Sequence, residues 1–172
     1  RAPGRDALEC YASALWMDKS PDELVAEAKE HQANNYRYVK MRVSRSLDDN
    51  LARIDAVRRV YSAPRTIALE TGTEWDAGIA NAFLDKCQAP LLWVEDPASH
   101  AELHLVKDHP LNTIAAGEKA TTAAELHELY TRGRLRNLII DVQYVGDPVR
   151  WLEAARAFQK NDPYAQAGLF AE

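Results

Sequence analysis

Cysteine is scarce in this chain: two residues in 172, Cys10 and Cys87. Two thiols cannot form the disulfide framework of a small secreted scaffold, and they fit a reducing cytoplasm. Long apolar runs are missing as well. None approaches the roughly 18 residues of a membrane span, and no signal-peptide core follows the N-terminus, so no membrane partner is expected. Positive charge is not in excess: 21 Lys and Arg stand against 26 Asp and Glu, a net charge of −5. The basic residues are scattered, which argues against a nucleic-acid partner. Glycine is sparse, 7 residues, and no Gly-rich phosphate turn follows the first apolar run, which weakens a dinucleotide-binding reading. No linker or low-complexity stretch divides the chain, so a single domain over 1–172 is expected.

What the chain does have is one unit used repeatedly. A short β-rich apolar run is followed by a turn signal and then an amphipathic helical stretch. Strands are expected at Leu8–Leu15, Tyr36–Val43, Thr66–Thr71, Leu91–Glu95, Asn112–Ala116 and Asn137–Val142. Helices are expected between them, starting near Ser20-Pro21, at Leu47–Tyr61, Trp75–Cys87, Ser99–Lys107, Thr121–Thr131 and Pro148–Gln159. Ser20-Pro21-Asp22-Glu23 carries the N-cap, the first-position proline and the first-turn acids of a helix start. Tyr164–Gly168 opens a seventh strand. About six βα units plus a seventh strand predict an α/β fold with a parallel sheet wrapped by helices, either doubly wound or a (β/α) barrel.

The residues that interrupt the apolar strands sit at their C-terminal ends. Lys40 and Arg42 alternate on the second strand, so both point to one face. Glu70 ends the third strand and Glu95 the fourth. Glu118 follows the fifth after Gly117, and Asp141 ends the sixth. The spacings from Glu70 are 25, 23 and 23 residues, one βα unit each. A barrel brings such residues to neighbouring positions around its C-terminal mouth, where active sites of this architecture lie. Three converging carboxylates do not all stay ionised without positive charge to offset their repulsion. An all-oxygen set suits a hard divalent ion such as Mg²⁺, which keeps positions open for water and substrate. With Lys40 and Arg42 beside it, such a site suits an anionic substrate. Lys40 becomes a proton-transfer group if neighbouring positive charge lowers its pKa.

The strings Val39-Lys40-Met41-Arg42, Leu92-Trp93-Val94-Glu95-Asp96-Pro97, Ile114-Ala115-Ala116-Gly117-Glu118 and Ile140-Asp141-Val142, in that order, resemble the barrel domain of the enolase superfamily. The likeness is greatest to its mandelate racemase and muconate lactonizing enzyme branch, which includes acid-sugar dehydratases, and it runs over roughly residues 8–172. It implies a TIM-type barrel that is incomplete in this chain, since a full one takes about 250 residues; the capping domain and the last barrel unit are missing from the pattern. It also implies a Mg²⁺-dependent lyase or isomerase that removes the α-proton of a hydroxy-carboxylate, through a metal-stabilised enediolate. Glu70, Glu95 and Glu118 would be the metal ligands. Lys40 would sit near the substrate carboxylate, Arg42 where many members keep a second Lys, and Asp141 where an Asp pairs with a His on strand seven.

Departures from the family pattern are also visible. The third-strand motif, usually Asp-Ala-Asn, reads Glu70-Thr71-Gly72. Arg42 is a poor general base because its guanidinium stays protonated. Gly168 falls where the catalytic His is expected, and no His follows His127. A divergent or inactive relative, or a structural partial barrel completed by a partner copy or by further chain, are therefore alternative readings. His100 and His104 have a zinc-compatible i, i+4 spacing without a third ligand, and are expected on a solvated helix face. Trp75, Trp93 and Trp151 are expected between helices and sheet, and Cys87 is expected to be a small buried hydrophobe.

Overall fold

The computed structural model describes residues 10–43, 46–133, 135, 137–161 and 166–170. Its strands are β1 (Tyr11–Ala14), β2 (Tyr38–Arg42), β3 (Ile67–Glu70), β4 (Val94–Glu95), β5 (Ile114–Ala116), β6 (Asn137–Asp141) and β7 (Gln166–Phe170). The helices are α1 (Pro21–Ala33), α2 (Leu47–Arg58), α3 (Ala77–Lys86), α4 (Ala123–Gly133), α5 (Val142–Val145) and α6 (Pro148–Asn161). Among the described residues the sheet runs β1-β2-β3-β4-β5-β6-β7, and every pairing is parallel. Sequence neighbours are thus spatial neighbours, the order of an incomplete barrel rather than of a doubly wound sheet, which reverses at a switch point. The expected first-strand residues Leu8 and Glu9, and the seventh-strand residues Tyr164 and Ala165, lie outside the described residues.

The two faces of the sheet have different chemistry because strand side chains alternate. On β2 and β3, Val39, Met41, Ile67 and Leu69 face the helices and join Leu24, Ala28, Ile54, Val57, Ala80, Phe83 and Leu84 in the main core. Burying such aliphatic side chains contributes about 1.5–3 kcal/mol each. The intervening positions look the other way, into a smaller inner layer of Ala68, Trp93, Ala115 and Ile139 with Tyr11 and Leu92 against it. A third cluster, including Leu126, Leu138, Ile140 and Trp151, holds α4 and α6 against the later strands.

Local signals place the helices. Ser20 caps α1 in a complete capping box with Glu23, and Pro21 is its first residue. Ser46 caps α2 and Asp76 caps α3 through side-chain oxygens accepting backbone N–H groups. Among the described residues no helix is long and apolar enough to cross a membrane.

Two segments differ from expectation. No α-helix fills Ser99–Lys107; only a 3₁₀ turn forms at Leu103–Leu105. Its apolar anchors, Leu103 and Val106, are three residues apart, the period of a 3₁₀ turn, while Leu105 is exposed. The Asn81 side chain fixes the segment, donating to the Leu105 carbonyl and accepting from Lys107 N–H. Residues beyond the sixth strand form the short helix α5, with Asp141 as N-cap and Gly146 left-handed after its last residue. An Asx cap and a C-terminal glycine were both present in the sequence, but four residues are too few to show a helical period.

Candidate metal centre

Register brings the first three charged residues into one row. Arg42 pairs with Glu70 across β2 and β3, and Glu70 with Glu95 across β3 and β4. All three lie at the C-terminal ends of their strands, where alternation turns them to the inner face. Glu118 follows β5 by two residues, and the chain turns towards it at Gly117, whose φ is +123°. A Cβ on Gly117 would lie 2.9 Å from the Ile139 carbonyl oxygen, so only glycine allows β5 to pass β6 this closely.

One carboxylate oxygen from each of Glu70, Glu95 and Glu118 lies within 4.8 Å of the other two. Octahedral Mg²⁺ with ligands at about 2.1 Å places its oxygens about 3 Å apart in cis and about 4.2 Å in trans. The group therefore matches a Mg²⁺ donor set in chemistry and, after a small inward closure, in spacing.

Lys40 and Arg42 sit against these acids. The Lys40 ammonium donates to Glu95 Oε1 at 3.2 Å and forms an ion pair with Glu70 Oε2 at 2.8 Å. Arg42 Nη1 donates to Glu70 Oε1 at 2.6 Å. Lys40, Glu70 and Glu95 are all buried. Two cations therefore lie against Glu70 and Glu95. Burial pulls the Lys40 pKa down, yet the charges of Glu95 and Glu70 outweigh it and the net shift is upward. Burial also pushes the Glu95 carboxyl up, with Glu70 adding to it, against Lys40 and the Trp93 N–H. A divalent cation placed among these carboxylates would offset their mutual repulsion.

Lys40 thus holds its proton more firmly than an ordinary lysine. The condition for a lowered pKa, neighbouring positive charge, is not met at Lys40: the groups it pairs with, Glu70 and Glu95, are carboxylates, and the guanidinium of Arg42 is engaged by Glu70. Asp141 lies on β6, at the same end of the sheet, but its Oδ1 accepts the Gln143 N–H at 2.7 Å, so it caps α5 and is not one of the three clustered acids.

Sequence reasoning missed three residues around the centre. Trp93 does not pack between a helix and the sheet. It lies on the inner face, and its indole Nε1 donates to Glu95 Oε2 at 2.9 Å; the signal was its place two residues before Glu95 on a strand. Asp96 is buried with a left-handed φ of 46°, and its carbonyl accepts from Thr71 Oγ1 and Thr73 N–H. Burial first, then the charges of Glu95 and Glu118, push its carboxyl up to about 7. Arg53 is buried under the mouth and donates to the carbonyls of Trp16, Met17, Lys19 and Arg42. It ties the β1–α1 loop to the end of β2, and the Arg42 guanidinium lies 4.8 Å from the centre of the Trp16 ring.

The other sequence candidates fall outside the centre. Trp75 packs on Phe83 with ring centres 5.1 Å apart, and Trp151 donates to the Ile140 carbonyl. Both sit behind the sheet as expected, as does buried Cys87. His100 and His104 are exposed beside the 3₁₀ turn. A cleft of about 390 Å³ between Thr73, Ser99, His100, Lys119, Thr121 and Glu125 opens among the loops that follow β3, β4 and β5. A larger one, about 580 Å³ and lined by Tyr36, Arg37, Tyr61 and Arg65 among others, lies at the opposite end of the strands.

Comparison with known proteins agrees with this layout. The family model for enolase C-terminal domain-like proteins matches residues 23–163. No curated protein sequence matches. Among solved structures, a racemase from Streptomyces coelicolor A3(2) with bound magnesium superposes with a TM-score of 0.85 at 22% identity, over 95% of this chain and 50% of its own. L-talarate dehydratase from Polaromonas sp. JS666, complexed with Mg and L-glucarate, gives 0.86 at 22% identity over 98% and 48%. A dipeptide epimerase from Enterococcus faecalis V583 gives 0.75 at 17% over 93% and 48%. The chain spans about half the length of each of these proteins.

Proposed function

The chain belongs to the enolase C-terminal domain-like family, and from that premise we propose that it carries the metal-binding part of a Mg²⁺-dependent lyase or isomerase. The reaction is removal of the proton next to the carboxylate of a small hydroxy-acid, with an acid sugar as the favoured substrate, as in dehydratases and racemases. The observation that carries this reading is the convergence of Glu70, Glu95 and Glu118 oxygens within 4.8 Å. Related folds crystallised with magnesium, one of them with L-glucarate, support it.

In this reading Glu70, Glu95 and Glu118 hold the cation. Bound there, it supplies neutralisation of the negative charge that builds on a substrate carboxylate as its α-proton leaves. With Glu70 and Glu95 holding a cation, the Lys40 ammonium would be available to donate to the substrate carboxylate. Arg42 stays paired with Glu70 and sets its orientation, while its permanent charge excludes it as the base. Asp141 stands at the same rim as an orienting carboxylate. The oligomeric assembly, or further chain, would complete the barrel and cover its open edge.

A second reading is a divergent barrel that keeps the metal site without the proton-transfer group. It is favoured by the raised pKa of Lys40 and by the capping contact that engages Asp141. One experiment separates the two. Calorimetry should show Mg²⁺ binding that Glu95→Gln abolishes, and a panel of sugar acids in D₂O should then show exchange at the α-carbon. Absence of Mg²⁺ binding sinks both readings; binding without exchange leaves the divergent one.

A further inference from the structure

Glu95 is the most deeply buried of the three clustered acids, and its two oxygens face different partners. Oε1 takes Lys40, a side chain that must withdraw if a cation is to enter. Oε2 takes the Trp93 indole N–H at 2.9 Å, and this contact need not break. Trp93 is itself held in place. Its ring meets Tyr11 edge-on, with centres 5.7 Å apart and planes at 75°, and it belongs to the inner layer with Ala68, Ala115 and Ile139. Tyr11 in turn lies beneath the Lys40 ammonium, 5.6 Å from Nζ to the ring centre.

We propose that Trp93 is a positioning residue for the metal centre: its indole N–H holds one oxygen of Glu95 so that the other faces the cation. The inference rests on the metal-site reading above and adds a residue to it. The physical argument is one of rotational freedom. A glutamate has three side-chain torsions, and a ligand left to sample them loses entropy when the cation binds. An N–H fixed in a rigid indole on the same strand face removes that freedom beforehand. It also compensates Oε2, which would otherwise be a buried acceptor without a partner once metal and lysine compete for Oε1. Hydrogen bonds of this kind to ligating groups are worth about ten- to a hundredfold in metal affinity.

The test compares two variants of the full chain by calorimetry with Mg²⁺ and by thermal unfolding. Trp93→Phe keeps most of the ring packing and removes the donor. Ile139→Ala opens a cavity in the same inner layer and leaves the hydrogen bond in place. Trp93→Phe should weaken Mg²⁺ binding about ten- to a hundredfold, whereas Ile139→Ala should lower the unfolding temperature and leave the Mg²⁺ affinity near that of the parent. Mg²⁺ should also change the tryptophan emission of the parent, and this change should be missing in Trp93→Phe although Trp16, Trp75 and Trp151 remain. Equal affinities for the parent and Trp93→Phe, or an equal loss in Ile139→Ala, overturn the positioning role alone. A parent that takes up no Mg²⁺ overturns the metal reading and this inference with it.

Discussion

The Lys40 ammonium lies 2.8 Å from Oε2 of Glu70 and 3.2 Å from Oε1 of Glu95, an internal cation shared by two of the three clustered acids. A metal held by Glu70, Glu95 and Glu118 would compete with the lysine for two of these carboxylates. Lys40→Met removes the internal cation and leaves Glu70 and Glu95 buried and underpaired. In the presence of a chelator it should cost about 3–5 kcal/mol of stability. Millimolar Mg²⁺ should return most of that loss, because ligand binding to the native state adds stability by mass action. Urea unfolding with and without Mg²⁺ measures both. A variant as stable as the parent in chelator shows that Lys40 does not hold the acids together.

Asp96 makes stability depend on pH in a direction opposite to a salt-bridged acid. Its folded pKa, about 7, lies above the ordinary value of 3.8, so the folded state favours the protonated form. The stabilisation is complete below about pH 4, declines as pH rises towards 7 and is level above that. The fall is on the order of 4 kcal/mol in the metal-free protein. Asp96→Asn should reduce this decline between pH 5 and 7.5, leaving the part that comes from the raised Glu95 carboxyl. Parallel curves for the two proteins would show that Asp96 titrates as an ordinary acid.

Gly117 is the point where β5 turns to present Glu118. An alanine there must fit a Cβ 2.9 Å from the Ile139 carbonyl oxygen at a φ of +123°. Gly117→Ala should destabilise the chain by about 1–3 kcal/mol and weaken Mg²⁺ binding, because any relief of the clash displaces Glu118. Circular dichroism melting and calorimetry read the two effects separately. Unchanged metal affinity in a destabilised variant would mean that Glu118 does not depend on this turn.

Arg53 donates to four backbone carbonyls, and no apolar side chain can replace those donors. Arg53→Met should cost about 3 kcal/mol and release the loop from Trp16 to Lys19. Limited proteolysis should then cut between β1 and α1 in the variant and not in the parent. The Trp16 contact with Arg42, at 4.8 Å, should loosen in parallel, giving a change in tryptophan emission. Resistance of this loop to protease in the variant would place its restraint elsewhere.

The alternation of strands and helices and the chemistry of the strand ends are legible from the residues, whereas the sequential strand order is not, because the alternation fits a doubly wound sheet as well as a barrel. Val39, Met41, Ile67 and Leu69 announce a buried outer face, and the acids at one-unit intervals announce a row at the mouth. What the row contains was less legible. Period two does not say that the charges of Lys40 and Glu70 meet, so the sequence leaves the direction of the lysine's pKa open, and the structure turns it upward. Trp93 was read for its bulk, because its N–H matters only once Glu95 is known to lie within reach of the same inner layer. The 3₁₀ turn at Leu103–Leu105 was read as a helix because polar residues around two apolar ones fit either period. The role of Asp141 follows in the sequence only from the family resemblance, and the cap it makes depends on a helix too short to see there.

The sequential strand order has a consequence for how the protein is made. Each strand hydrogen-bonds to the one synthesised just before it, so the sheet can lengthen in step with translation, which delivers the N-terminal part first. Glu70 and Glu95 come together when β4 joins β3, with Lys40 already waiting on β2. Glu118 arrives only after β5 has paired. Through that interval Glu70 and Glu95 have Lys40, Arg42 and the Trp93 N–H on hand as partners. The charge of the first two acids is thus offset within the chain itself before the strand that leads to the third has paired.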